Sequence, residues 1–275
     1  MSDRVRIEIN PQGIAEVILV RGDKMNALDA AMFDALVAAL ARLQSEPGLR
    51  VVVLHGEGRA FCAGLDMARF GSMASGSDAS SGSGGGLGDL RTRSHGSANA
   101  AQYVGLGWRA LPVPVIAAVH GVAFGGGLQL ALGADLRYIS ATTRLCVMEI
   151  QWGLVPDMAG TVLMQGLVRD DHLRELTYSG RIVMGDEAVA LGLATRVCDD
   201  PLAEARALAR SLAQRSPSAL RAAKRLLNQA AGHFDAAAAA QLQAESDEQM
   251  ALLGQAHQVE AVRAQVEKRP PSFDD

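Results

Sequence analysis

Four consecutive apolar residues, Val51-Val52-Val53-Leu54, follow directly on a run with helical spacing, and this juxtaposition limits the fold more than any other feature. Met32, Phe33, Leu36, Val37, Leu40 and Leu43 recur every three or four residues, an apolar stripe on a helix with Asp29 as its N-cap. Pro47-Gly48 ends that helix. A strand without polar alternation is covered on both faces, so strand and helix together predict an α/β layer. Val5, Ile7 and Ile9 alternate ahead of it, and with Glu16–Val20 they predict two strands joined at Asn10-Pro11-Gln12-Gly13. Val115–Val119 is a further apolar strand that runs into glycine-rich sequence, and Asp135–Ser140 predicts a third inner strand.

Between residues 71 and 86, 12 of 16 positions are Gly or Ser, which cannot offset the entropy of ordering. The reading is a flexible insertion over 71–97, either a lid beside a site or plain surface disorder. Past Ser179 strand signals fade, apart from Thr195–Cys198. Helices are predicted at Asp186–Leu191, Leu202–Gln214, Ser218–Ala231, Asp235–Leu253 and Gln255–Lys268. This divides the chain into an α/β core, 1–195, and a helical C-terminal region, 196–275.

With 49% hydrophobic and 20% charged residues, the 275-residue chain can bury a sizeable core and is not wholly disordered. A net charge of −4 offers no general basic surface, so neither nucleic acid nor membrane is an expected partner. Met1-Ser2-Asp3-Arg4 opens no apolar signal region, and no apolar run is long enough to span a bilayer. Cys62, Cys146 and Cys198 are scattered without metal spacing, as suits a reducing cytoplasm, the expected location.

Three passages bear on chemistry. Gly125-Gly126-Gly127 opens a helix-like stretch after a strand; exposed backbone N–H groups there suit an oxyanion or a phosphate, and tight packing is the alternative. No Lys-Ser/Thr pair follows, so this is no phosphate loop of the nucleotide-binding kind. Phe61-Cys62-Ala63-Gly64-Leu65-Asp66 offers a second N–H, at Ala63 or Gly64; two donors on one oxygen make an oxyanion hole, and a strain-relieving loop is the alternative. Glu149 and Asp157 lie eight residues apart in apolar sequence broken by Gly153 and Pro156. They are an acid/base pair of raised proton affinity or simply solvated loop acids. No G-x-S-x-G elbow or H-E-x-x-H pairing occurs.

In this order the passages resemble the enoyl-CoA hydratase/isomerase (crotonase) superfamily. The resemblance runs from Lys24-Met25-Asn26-Ala27-Leu28 through Phe61–Asp66, Val115–Gly127, Gly153-Leu154-Val155-Pro156 and Ala188–Ala194 to Glu267-Lys268-Arg269-Pro270. Loose one by one, the motifs are specific in register. The resemblance implies a spiral of ββα units with a helical C-terminal region for trimerisation, and a homotrimer or a hexamer of paired trimers. It implies an acyl-CoA thioester as ligand, its carbonyl oxygen held by the amides of Ala63 and Gly126. Lys24, Met25, Ala27, Leu65, Asp66 and Gly125 then line the CoA groove, and no cofactor is needed because coenzyme A is part of the substrate.

Hydratases of the superfamily carry two glutamates, at the positions of Gln129 and Glu149. Glutamine takes up no proton at neutral pH. Dienoyl-CoA isomerases carry an aspartate where Asp157 stands, and another where this chain has Gln129. The expected reaction is double-bond isomerisation, with Glu149 shuttling the proton and Asp157 assisting. The alternatives are a hydratase in which Gln129 holds the water, and a non-catalytic acyl-CoA-binding scaffold. The resemblance also places the insertion beside the acyl pocket, admitting a bulky chain. For Trp152 and Phe124, core packing is the expected role rather than pocket lining.

Overall fold

The computed structural model describes residues 4–67 and 90–273. Strands β1 (Val5–Ile9) and β2 (Ile14–Leu19) pair antiparallel, with Val5 opposite Leu19. Their turn is fastened by the Asn10 side chain, which accepts from the backbone N–H groups of Gln12 and Ile14. β3 (Val51–Gly56) lies parallel to β2 and is buried along its whole length. β4 (Val115–Val119), β6 (Leu136–Ile139) and β9 (Arg196–Val197) extend the sheet in the order β1-β2-β3-β4-β6-β9. A small sheet holds β5 (Val122–Phe124), β7 (Arg144–Cys146) and β8 (Val183–Met184). From β4 to β9 the chain crosses repeatedly between the two sheets, β4, β6 and β9 joining the large one and β5, β7 and β8 the small one, in keeping with the expected spiral.

The helices are α1 (Ala30–Gln44), α2 (Ala100–Ala110), α3 (Gly126–Leu132), α4 (Gly160–Met164) and α5 (Asp170–Ser179). They continue with α6 (Gly185–Ala190), α7 (Pro201–Ala213), α8 (Pro217–Ala230), α9 (Ala236–Leu252) and α10 (Ala256–Glu267). Asp29 caps α1 by accepting from Met32 N at 2.8 Å, and the helix buries the expected face, Met32, Phe33, Leu36, Leu40 and Leu43, in the main core. None of the helices among the described residues is long and apolar enough to cross a membrane.

Two expectations change. The α/β core drawn to 195 reaches past that residue: β9 completes the large sheet, and Ala205 and Ala209 of α7 cover its other face against Val51, Val53, Ile116 and Ala118. The insertion drawn over 71–97 lies outside the described residues up to 89, whereas 90–97 is anchored rather than free. Leu90 is buried, and Arg93 donates to Leu90 O, to Gln102 Oε1 and to Ser246 Oγ.

Candidate active site

Gly126 is the first residue of α3, so its N–H lacks an intrahelical acceptor, and it donates to no other group among the described residues. The amide of Ala63, its expected partner donor, is already engaged: it donates to Met25 O at 2.9 Å. Two residues on, Leu65 is framed by the bonds Leu28 N to Gly64 O (2.7 Å) and Asp66 N to Leu28 O (3.1 Å), and its own N–H has no acceptor among the described residues. Leu65 therefore replaces Ala63 as the available donor. The two stretches meet at Gly64, which takes a φ of 86°; a Cβ there would lie 2.5 Å from Phe124 O and 3.7 Å from Gly126 N. No larger residue permits that approach.

The turn facing this pair is built around Asn26. Met25 and Asn26 are both left-handed (φ 51° and 53°), and the buried Asn26 side chain accepts from Arg21 N and donates to Glu57 O and Ala60 O. Arg21 Nη1 bonds Ala27 O and the Asp66 carboxylate (2.5 Å), tying the turn to the 63–66 segment. Met25, Ala27, Leu65 and Asp66 thus lie on two segments bonded to each other, with Lys24 of the same turn exposed and Ala27 buried. Trp152 packs beside Leu154 and Val262, in keeping with the packing role expected for it.

α3 also carries Gln129, and it is fixed from behind: Arg109 and Arg137, both buried, donate to the carbonyls of Leu132 and Ala134 at its C-terminal end. Gln129 Oε1 accepts from Met158 N and Gly160 N, both at 2.8 Å. Only the amide oxygen can accept, so Gln129 Nε2 necessarily faces Glu149, donating to its Oε1 at 2.7 Å. Glu149 Oε2 is buried with no partner among the described residues. The carboxylate lies beside the glycines that open α3, its Oε1 3.3 Å from where a Gly125 Cβ would stand. Burial pushes the Glu149 carboxyl up to about 7, against the hydrogen bond from Gln129 that favours the charged form. Asp157 is pushed up to about 8, first by desolvation and then by the charges of Glu245 and Glu149.

Glu245 and Gln249 of α9 were not among the expected residues. Glu245 accepts from Ala159 N, Thr161 N, Thr161 Oγ1 and Gln102 Nε2, and Gln249 Oε1 accepts from Val155 N. Their signal is present in the sequence: Ala238, Leu242, Glu245, Ser246 and Gln249 share one helical face, and that face is the buried one. A polar residue on an inward stripe requires a polar partner.

Residues 9–275 match the family model described as enoyl-CoA hydratase/isomerase. A carnitinyl-CoA dehydratase of Proteus mirabilis is 34% identical over 218 residues, 78% of this chain and 76% of that one. The mitochondrial methylglutaconyl-CoA hydratase of Mus musculus is 31% identical, over 82% of this chain and 69% of that protein. An enoyl-CoA hydratase/isomerase from Mycobacterium paratuberculosis superposes with a TM-score of 0.82 at 26% identity, covering 96% of this chain and 98% of that chain.

Proposed function

This chain belongs to the enoyl-CoA hydratase/isomerase family, and from that premise we propose that it moves a carbon–carbon double bond along the acyl chain of an enoyl- or dienoyl-CoA thioester. The observation that carries the reading is the pair Gln129–Glu149: one buried carboxylate, one of its oxygens held by a fixed amide and the other without a partner among the described residues, beside the glycines that begin α3.

The thioester oxygen accepts from Leu65 N–H and Gly126 N–H, so charge that develops on it meets two donors that need no reorganisation, each worth about 3 kcal/mol. Glu149 takes a proton from the carbon next to the thioester. The C–H electron pair moves into the acyl system and leaves an enolate on the oxygen. Returning the proton two carbons further along reforms the thioester carbonyl and shifts the double bond. A carboxyl poised at about 7 both accepts and returns a proton at neutral pH. Asp157, at about 8, stays largely protonated; where it gives the proton to the far carbon in place of Glu149, the proton that Glu149 has taken passes to Asp157, so each turnover still moves a single proton. No group beyond the coenzyme A of the substrate enters the scheme.

A second reading, hydration of a 2-enoyl-CoA with Glu149 as base, draws support from the names of the Proteus and mouse relatives. Against it stands Gln129, whose oxygen already accepts two backbone bonds and has little left for a water. The test runs purified protein on 3-enoyl- and 3,5-dienoyl-CoA while following hydration of 2-enoyl-CoA in parallel. Double-bond movement that outpaces hydration and vanishes in Glu149→Gln supports isomerisation. Hydration at the faster rate overturns it.

A further inference from the structure

The turn from Met158 to Thr161 presents four successive backbone N–H groups, and two side chains divide them. Met158 N and Gly160 N donate to Gln129 Oε1, while Ala159 N and Thr161 N donate to Glu245, one to each carboxylate oxygen, at 3.0 Å. Ala159 sits in the left-handed region (φ 67°), which alanine avoids unless its surroundings enforce it. Gly160 lies so close to Gln129 that a Cβ would stand 2.5 Å from Oε1. The grip comes from far off in sequence, since α9 is 84 and 86 residues from its two backbone partners. Thr161 Oγ1 and Gln102 Nε2 complete the set of four donors on a buried carboxylate.

We infer that Glu245 is a positioning residue of the active site: by holding alternate amides of the 158–161 turn it aims the other two at Gln129 and so fixes the side-chain hydrogen bond from Gln129 to Glu149. The inference rests on the reading of Glu149 as the acid/base group. Without Glu245, the Ala159 and Thr161 amides lose their acceptor, the turn relaxes, and Gln129 is free to rotate about its terminal bond. The charged neighbours of this turn are two further carboxyls, Asp157 and Glu149, while Arg93 reaches Gln102 and Ser246 on the same network; Gln249, also from α9, is neutral.

The test compares Glu245→Gln with wild type and with Glu149→Gln, using 3-hexenoyl-CoA as substrate with circular dichroism as the folding control. Glu245→Gln keeps the volume but turns a donor toward a donor. The expected result is a 10–100-fold fall in kcat, KM within threefold, and a descending limb of the pH profile displaced to lower pH, because a negative neighbour of Asp157 is gone. A role confined to fold stability would lower the melting temperature and leave the pH profile in place. If Glu149→Gln is inactive while folded Glu245→Gln matches wild type in kcat and pH profile, this inference fails alone. If Glu149→Gln stays active, the reading of the site fails with it. Should Glu245→Gln not fold, Thr161→Val removes one donor; a threefold or larger loss of kcat at constant KM is then expected, and an unchanged kcat overturns the inference.

Discussion

Gln129 Nε2 donates to Glu149 Oε1 at 2.7 Å, and the direction of that bond is imposed by backbone that belongs to neither residue. Two amides on the glutamine oxygen leave its nitrogen as the only group that can face the carboxylate. The bond favours the charged form of Glu149, burial favours the neutral form, and the balance near neutrality equips one side chain to take and return a proton.

Replacing that amide with an acid changes the chemistry of the pair. In Gln129→Glu one oxygen keeps the Met158 and Gly160 amides, and the other meets Glu149 at a distance where two carboxylates share a proton. Hydration of crotonyl-CoA should rise at least tenfold over wild type, since a second acid/base group is worth about 10²–10⁴ in rate. Gln129→Leu, which removes both ends of the link, should lose turnover on every substrate. Product analysis after incubation with each thioester checks both.

The pH dependence follows from two carboxyls that work in opposite states. Glu149 must be ionised to take a proton, so kcat/KM should rise as the pH passes about 7. Asp157 must be protonated to give one, so kcat/KM should fall above about 8. The result is a narrow bell whose limbs belong to the coupled pair rather than to single residues. Asp157→Asn should remove the falling limb and leave the rising one, and a profile flat from pH 6 to 9 in wild type would contradict the assignment.

How far the sequence discloses this arrangement depends on the range over which each feature is determined. α1, β3 and the helices from α7 to α10 are legible because periodicity and caps are local, and their observed ends fall close to the expected ones. The small sheet is not: strands of two or three residues carry no period. α2 was hidden by Gly105 and Gly107, although Asn99 and Gln102 form a complete capping box. At the site, the residue types of Glu149 and Gln129 were readable, and their link was not, because it depends on amides 29 and 31 residues beyond Gln129. The choice between Ala63 and Leu65 is likewise decided by Met25 O, a partner that no local pattern reveals.

That choice can be tested on the backbone itself. Exchanging the Leu65 amide for an ester removes its N–H and keeps the side chain. The expected loss is about 10²–10³ in kcat, the usual effect of deleting one oxyanion donor. The same exchange at Ala63 removes the bond to Met25 O instead, and should lower stability by about 1 kcal/mol with a much smaller effect on kcat. If the Ala63 ester loses the activity and the Leu65 ester keeps it, the donor has been misassigned.

The site also leaves a mark on stability. The Glu149 carboxyl is raised from 4.5 to about 7 on folding, so its neutral form is the one the native state prefers. Stability associated with that proton is complete below pH 4.5 and is lost as the pH climbs through 7. In Glu149→Gln the side chain never ionises, yet its oxygen can still accept from Gln129 Nε2. The variant should match wild type near pH 4.5 and become progressively more stable relative to it, by about 3 kcal/mol at most once the pH exceeds 8. Denaturant melts across that range measure the difference directly. An inactive variant that outlasts its parent only at neutral and alkaline pH identifies the buried acid as a group kept for chemistry at the expense of the fold.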